Sequence, residues 1–568
     1  MSNYSAPLRD MQFVMRDLAG LDEVTRLPGN EDVTPDLVAA ILEEADKFAA
    51  GVLAPLNRSG DQHGARWHDG EVSTAPGWKE AYRQFAESGW TAIACDPQHG
   101  GQGLPKLVST AVMEMWKSAN MAFSLCPMLT TGAIEALMLR GSEAQKAMYL
   151  PKMVSGEWTG TMNLTEPQAG SDVGALRTKA EPMGDGTYAI SGQKIYITWG
   201  DSDLVSNVCH LVLARLPGAP QGTRGISLFM VPKFLPDAEG RLGPRNSLRV
   251  VSLEHKLGIH GSPTCVMEYD GAKGWLVGEE NKGMAAMFTM MNNARLAVGA
   301  QGVGIAEAAL QQALAYAADR HQGATPLSAE GPILDHADVR RMLAVMRAEV
   351  FAARSIALAC AVAIDMASAT GSADWQARAA FLTPIAKAHG TDIGCEVAQL
   401  GLQVHGGMGY VEETGAAQFA RDVRITAIYE GTNGIQAMDL VGRKMADGGE
   451  AAFRLIDEVQ RGAEAARVTL PDLAGEVWQA AEALREATEA MVAQELNDRF
   501  AGAVPYLRAF ARVLGAEAHL KAALADPDRL ALARVMIRRI LPEHGALLAQ
   551  VREGAAGLYA LRPEDLAA

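Results

Sequence analysis

The chain is poor in the patterns that mark metal centres, disulfide frameworks and membrane spans. Its 568 residues include six cysteines, Cys95, Cys126, Cys209, Cys265, Cys360 and Cys395. They are scattered, with no C-x-x-C pair and no Cys or His at metal-ligand spacing, so no metal is assigned. Such thiols read as small buried hydrophobes in a reducing compartment. The stretch Met1 to Leu18 carries Arg9, Asp10, Arg16 and Asp17 and lacks the apolar run of a signal peptide. No stretch approaches the ~20 consecutive apolar residues of a membrane span. A cytoplasmic chain without membrane insertion is expected. Basic residues are also in deficit: 51 Lys+Arg against 67 Asp+Glu leave a net charge of −16. That balance argues against bulk attraction to nucleic acid or anionic membrane, while a local basic patch can still hold an anionic ligand.

What is present is ordinary for a globular protein, 48% hydrophobic and 21% charged residues. The length exceeds what one hydrophobic core supports and predicts three or four domains. Residues from about Pro35 to Ser155 carry apolar positions at helical spacing, as in Leu37-Val38, Ile41-Leu42 and Ala45, and again in Ala111-Val112 and Met115-Trp116. Near Trp158 the texture changes to short β-rich runs such as Lys194 to Thr198, Val208 to Leu213 and Ile226 to Val231. Turns at Gly184-Asp185-Gly186 and Asp237 to Gly240 divide them, which predicts an antiparallel sheet domain. Helical patterning returns at Gly283, with a long Ala-, Met- and Gln-rich helix over Met284 to Arg320 that stops by Gly323. The tail, residues 451–568, holds 14 Lys+Arg and 17 Asp+Glu and reads as a separate set of amphipathic helices with no fixed repeat. The expected organisation is 1–157 helical, 158–281 β, 282–447 a helical bundle and 448–568 an additional helical domain.

Six segments carry candidate chemistry. In Thr165-Glu166-Pro167-Gln168-Ala169-Gly170-Ser171-Asp172, Pro167 and Gly170 force a turn whose outward N–H groups, with the Ser171 hydroxyl, suit a phosphate or the polar edge of a flat cofactor. On turn chemistry alone it is a Gly/Pro loop. In Lys194 to Thr198, period-two alternation puts Tyr196 and Thr198 on one face, able to cover a flavin or merely to form a surface pair. Asn292-Asn293-Ala294-Arg295 places a cation on an apolar helix, where it needs a partner or a cavity, and Gly299, Gly302 and Gly304 then permit close approach. Arg320 either caps that helix's C-terminus or reaches a pyrophosphate. Gln403-Val404-His405-Gly406-Gly407-Met408-Gly409 has the backbone freedom to lie against a ligand or to end a helix. In Ile428-Tyr429-Glu430-Gly431-Thr432-Asn433, Glu430 follows an apolar run and precedes a glycine. Desolvation there raises a carboxylate toward the range that a general base for carbon acids requires.

In this order and spacing, the segments TEPQAGSDVGALRTKA, QVHGGMGYVEE and IYEGTNGIQ strongly resemble the acyl-CoA dehydrogenase family, over about Pro35 to Lys444. The resemblance implies an α+β, mainly α fold: a helical N-terminal domain, a middle β-barrel-like domain, a C-terminal four-helix bundle and an extra helical domain. It implies FAD between the β domain and the bundle, partly held by a second subunit, hence a homo-oligomer, at least a dimer. Carried over residue by residue, Glu430 is the catalytic base, with Glu166 and Glu412 the nearest alternative carboxylates. Thr165, Ser171, Tyr196 and Thr198 line the flavin and its diphosphate, and Arg320, Gln403, Gly407 and Thr432 reach the diphosphate and adenosine. Asn292 and Arg295 lie near the CoA arm. Gly434 stands where many members have Gln, and Asn292 where some have Asp. The implied reaction is α,β-desaturation of an acyl-CoA to the trans-2-enoyl-CoA, with electrons passed to electron-transferring flavoprotein. The two ends resemble the long bacterial branch that includes 3-methylmercaptopropionyl-CoA dehydrogenases, so 3-methylthiopropanoyl-CoA and short- to medium-chain acyl-CoAs are the expected substrates. An acyl-CoA oxidase would share fold and base. An alkylation-response DNA-binding flavoprotein would need a basic face that the acidic tail does not offer.

Overall fold

The computed structural model describes residues 4–567, the side chains of Thr289, Asn292 and Asn293 excepted. The chain forms two compact units, one of residues 48–104 and 119–294, the other of residues 4–47, 105–118 and 295–567.

The first unit is organised by strands β1 (Trp158–Asn163), β2 (Lys179–Pro182), β3 (Tyr188–Thr198), β4 (Asn207–Arg215), β5 (Ile226–Pro232), β6 (Leu248–Leu253) and β7 (Thr264–Val277). β7 pairs with β6, β3 and β5; β3 pairs with β2; and both β2 and β5 pair with β4. The ring β7–β3–β2–β4–β5–β7 is therefore closed, which removes the edges of those five strands and gives the barrel-like form. Inside it pack Ile190, Ile197, Val212, Phe229, Val231, Met267 and Tyr269. β4 and β5 are buried along almost their whole length, which is why both read as continuous apolar runs.

The sheet is mixed, where turn spacing alone predicts it antiparallel. β1 pairs with β4 in parallel, Trp158 opposite Asn207 through Asn163 opposite Val212. The reason is topological: the chain leaves β1 through the loop at 164–178 and makes the β2–β3 hairpin before returning beside β1. A second element escapes the helical patterning of 35–155. A small hairpin, Arg66–His68 against Glu71–Ser73, turns at Asp69 (φ 51°) and Gly70 (φ 84°). Both residues are left-handed, as a type I′ turn demands, and Asp-Gly is a preferred pair for it.

The second unit is helical: α1 (Lys106–Arg140, its first part), α2 (Gly283–Asp319, from Arg295), α3 (Ala337–Thr370), α4 (Ala373–His405) and α5 (Asn433–Gly442). α1 is two helices joined at Asn120, whose φ of −158° and ψ of 89° break the turn and whose side-chain oxygen accepts the Phe123 N–H at 3.1 Å. The break lies beside the point where the chain passes from one unit to the other. α2 and α4 touch backbone to backbone. A Cβ on Gly302 would stand 2.0 Å from the Gly390 carbonyl oxygen, and one on Gly299 2.5 Å from that of Ala386. The small residues after Arg295 thus serve a neighbouring helix.

At the centre of this unit Arg354, 0% exposed, pairs with Glu114 at 2.6 Å and Glu307 at 2.8 Å, so its buried charge is matched. Helices α6 (Glu450–Ala466), α7 (Pro471–Ala493), α8 (Ala503–Ala525) and α9 (Glu543–Glu553) follow. Their apolar faces close onto the bundle as well as onto one another: Leu296, Phe381 and Leu440 share one cluster with Leu455, Leu484 and Phe510. Among the described residues two helices, α1 and α3, are long and apolar enough by length and composition to cross a membrane, and 78% and 72% of their most apolar windows are buried in the protein. A search for unbroken apolar runs passes over both, because Ser, Thr, Glu and Asp interrupt them.

Candidate active site

In the first unit, β1 ends at Asn163 and the chain turns through Pro167 to Ser171. Glu166 ties this turn down. Its carboxylate accepts from Lys194 Nζ (2.8 Å), the Thr178 N–H (3.0 Å) and hydroxyl (2.6 Å), the Arg177 N–H (2.7 Å) and Gln168 Nε2 (2.7 Å). Burial acts upward on this carboxyl, but the Lys194 charge and these hydrogen bonds outweigh it and hold it down at about 2. Lys194 is 0% exposed and also donates to the Leu164 carbonyl at 2.9 Å, while the Ile195 N–H bonds to the Thr165 carbonyl at 2.9 Å. These bonds bring Thr165 beside the end of β3.

There the strand is bulged. Ile197 pairs with Cys265 and Lys194 with Met267, leaving Ile195 and Tyr196 together opposite Val266. Tyr196 takes a left-handed φ of 60° and is 60% exposed, a conformation few non-glycine residues adopt. Ile197 points into the barrel, so Tyr196 and Thr198 share the outward face, as alternation predicts, with the bulge turning the phenol further out. Among the described residues no side chain bonds to Thr165, Ser171, Tyr196 or Thr198. That face offers an aromatic ring and a hydroxyl to a flat, polar molecule, and the loop after β1 carries the hydroxyls of Thr165 and Ser171.

In the second unit Glu430 (φ 55°) and Gly431 (φ 81°) form a left-handed turn between an apolar approach and the start of α5. Thr432 is the N-cap of α5, its hydroxyl accepting the Ile435 N–H at 3.2 Å. Gln436, buried one turn later, donates Nε2 to the carbonyls of Glu430 (3.1 Å) and Gly431 (3.2 Å). Lys387 on α4 donates to the same Gly431 carbonyl at 3.0 Å and to Asn433 Oδ1 at 2.9 Å. The Tyr429 hydroxyl donates to Gln301 on α2. Both carbonyls of the turn are thus held while, among the described residues, nothing donates to the Glu430 carboxylate. Glu430 is half-buried, and burial pushes its carboxyl up to about 7 against the lowering charges of Arg295 and Lys387. Arg295 is itself buried and meets Asp439 at 3.3 Å, and Asp439 also holds Arg443 at 2.5 Å.

The remaining sequence candidates lie apart from this turn in character. Arg320 is exposed and forms no ion pair among the described residues; Gln403 is exposed at the end of α4, beside His405, which stacks on Tyr316 at 4.4 Å. Nothing lies within 4 Å of a Cβ placed on Gly406 or Gly407, and Met408, Tyr410 and Val411 expose apolar surface next to them. The side chain of Asn292 lies outside the described residues. Gly434 leaves its position open, with nothing closer to an added Cβ than the Thr432 hydroxyl at 3.8 Å. Glu412 pairs with Arg421 at 2.9 Å. Among the described residues no three His, Cys, Asp or Glu side chains gather as a metal site would require. Sequence reasoning passes over Lys387, although a lone cation in the mostly apolar stretch Phe381 to Ala388 carries the same signal that marks Arg295.

Models of known families match nearly the whole chain: acyl-CoA dehydrogenase N-terminal domain over residues 37–157, middle domain over 161–272 and C-terminal domain over 281–445, then an acetyl-CoA dehydrogenase C-terminal-like domain over 455–562. The chain is 49% identical over 519 residues to 3-methylmercaptopropionyl-CoA dehydrogenase of Ruegeria pomeroyi, covering 89% of this chain and 88% of that one. It is 36% identical over 463 residues to a butyryl-CoA dehydrogenase of Syntrophomonas wolfei, covering 78% and 76%. Its fold is shared with an acyl-CoA dehydrogenase from Bacillus anthracis solved in complex with FAD, at a TM-score of 0.76 and 21% identity, over 96% of this chain and 92% of that one.

Proposed function

The chain belongs to the acyl-CoA dehydrogenase family, and on that premise we propose that it desaturates a short- to medium-chain acyl-CoA, including 3-methylthiopropanoyl-CoA, with Glu430 as the base. The observation that carries the assignment is a half-buried carboxyl near 7, without a donor among the described residues, on a turn whose carbonyls are fixed. A base of ordinary carboxylate strength is poorly matched to an α-proton; one raised toward neutrality by burial is better matched and still ionised in part at pH 7.

The family uses FAD, which when bound supplies the acceptor for the β-hydride. The chain's own residues fit it. Tyr196 and Thr198 present an aromatic and a hydroxyl on one face, and the loop after β1 carries the hydroxyls of Thr165 and Ser171. Arg320 is an exposed cation, without an ion-pair partner among the described residues, for a pyrophosphate. Glu430 takes the α-proton as the β-hydrogen leaves with its electron pair, giving the trans-2-enoyl thioester. The Glu430 N–H is proposed to steady the thioester oxygen as negative charge develops there, which requires a rigid peptide. Gln436 and Lys387 provide that rigidity by holding the two neighbouring carbonyls. Arg295 acts on the base through its charge, and Asn292 and Arg295 are proposed to lie near the CoA arm. Glu166 is excluded as a substitute by its five donors, and Glu412 by its pairing with Arg421.

Arg320, Gln403, Gly407 and Thr432 are proposed to reach the diphosphate and adenosine portions across a dimer interface, with the exposed Met408 and Tyr410 covered in the dimer. Light scattering of FAD-loaded protein is expected to give at least a dimer, and a monomer retaining tight FAD would contradict it. The four parts 1–157, 158–281, 282–447 and 448–568 are proposed as its domains, and electron-transferring flavoprotein as its acceptor in a cytoplasmic setting. Glu430→Gln tests the base. Flavin reduction by acyl-CoA is expected to fall by ~10²–10⁴-fold with FAD and acyl-CoA binding retained, and reduction near the wild-type rate would remove Glu430 from the role. Turnover across an acyl-CoA series with an artificial electron acceptor tests the substrate range.

A further inference from the structure

We propose that Lys387 is a positioning residue for the base: it fixes the left-handed Glu430–Gly431 turn and keeps a positive charge beside the carboxylate. The inference rests on the assignment of Glu430 above. Lys387 is 0% exposed, in the middle of α4, and a buried ammonium needs strong partners to persist there. Its two hydrogen bonds go to the turn itself, to the Gly431 carbonyl at 3.0 Å and to Asn433 Oδ1 at 2.9 Å. Asn433 is in turn gripped by α4 one turn on: its Nδ2 donates to Asp392 at 2.7 Å and to the Thr391 hydroxyl at 2.9 Å. Lys387, Thr391 and Asp392 therefore form one side of a clamp, and Gly431 and Asn433 the other.

The clamp matters because the turn is conformationally costly. A non-glycine residue at φ 55° lies above the right-handed alternative in energy, and it stays there only if the surroundings over-determine it. Gln436 holds the Glu430 and Gly431 carbonyls from the α5 side, and Lys387 holds Gly431 from α4. The groups that face Glu430 electrostatically are Lys387 from α4 and Arg295 from α2. Arg295 is already shared with Asp439, which also binds Arg443. Lys387 has Asp392 nearby, and Asp392 is reached by Arg508 of α8, which grips Glu396 at 2.5 Å and Glu543 at 3.0 Å. Asp392 accepts from Asn433 and also attracts Lys387, but the larger charge acting on Lys387 is that of Glu430.

The test is stopped-flow flavin reduction by butyryl-CoA from pH 5.5 to 8 in FAD-loaded wild type, Lys387→Met, Lys387→Arg and Glu430→Gln, with thermal melts of each. In Lys387→Met the plateau rate is expected to fall ~10-fold through misplacement of the turn, the midpoint to move to higher pH because a cation no longer favours the ionised base, and acyl-CoA affinity to hold. In Lys387→Arg the midpoint is expected to stay while the plateau falls. A wild-type midpoint and plateau in Lys387→Met, with Glu430→Gln inactive, would overturn the inference and leave the base assigned. Rapid reduction in Glu430→Gln would overturn the base assignment, and the inference with it. If Lys387→Met does not fold, Asn433→Ala keeps the lysine and removes one anchor; a lowered plateau supports the clamp and an unchanged one overturns it.

Discussion

Glu166 in the first unit follows a buried strand and Glu430 in the second an apolar approach, each glutamate followed by a turn-forming residue. The protein treats them in opposite ways. Glu166 collects five donors, including a fully buried lysine, and is held down at about 2. Glu430 has its backbone carbonyl bonded and its carboxylate left without a donor among the described residues, and is pushed up to about 7. Each glutamate has a buried lysine nearby, and the lysine's target differs: Lys194 binds the carboxylate of Glu166, whereas Lys387 binds the carbonyl that follows Glu430. The first arrangement builds a loop and removes a base. The second keeps a base available and fixes the peptide that carries it.

The sharpest contrast is expected from neutralising each in turn. Glu430→Gln is to fall by ~10²–10⁴-fold in flavin reduction and remain folded. Glu166→Gln leaves the Lys194 charge buried without its counterion, and a loss of ~3–5 kcal/mol in unfolding free energy by urea titration is expected. Equal stability of the two variants would break the contrast. The pH dependence separates them next. Glu430 has a raised folded-state value, so ionising it costs the fold nothing below the ordinary carboxylate range and most above about 7; Glu430→Gln should therefore raise the melting temperature more at pH 8.5 than at pH 5. Glu166 has a depressed value, so its contribution is full above the ordinary range and is lost as pH falls toward about 2; wild-type stability should drop over that acid window and Glu166→Gln should show a flatter profile. A melting-temperature gain in Glu430→Gln that is independent of pH would contradict the first half.

Two smaller effects probe the frames around the two residues. Gly302→Ala drives a methyl into the Gly390 carbonyl at the α2–α4 contact, and a loss of ~1–3 kcal/mol is expected, with Glu430 chemistry impaired because Arg295 and Lys387 ride on those helices. Gly70→Ala in the small hairpin forces a side chain into a φ of 84° and should cost ~1 kcal/mol without altering flavin reduction. An unimpaired flavin reduction in Gly302→Ala, or an impaired one in Gly70→Ala, would sever the link drawn between the helix contact and the base.

Much of the architecture is legible in the residues alone. The change of texture at Trp158, the long helix after Gly283 and the apolar approach to Glu430 are local signals, written in spacing of two or of three and four residues. The features that local spacing does not carry are non-local or depend on a single residue's backbone. The parallel pairing of β1 with β4 needs the whole β2–β3 excursion between them. The bulge that turns Tyr196 outward shows only in the register against β7. Lys387 lies 43 residues from Glu430 in the chain (430 less 387) and becomes relevant only when α4 packs beside the turn. The Asp69-Gly70 dipeptide is itself a hairpin signal, and helical patterning on both sides masks it.

The central claim is that Glu430, raised by burial, is the group whose ionisation gates the reaction. The pH dependence of flavin reduction by butyryl-CoA, in a single turnover without oxygen, tests it most directly. The wild type is predicted to gain rate with a one-proton midpoint near 7, and Glu430→Gln to be slow and flat across the same range. A wild-type midpoint near 4.5, or an intact midpoint in Glu430→Gln, would contradict it.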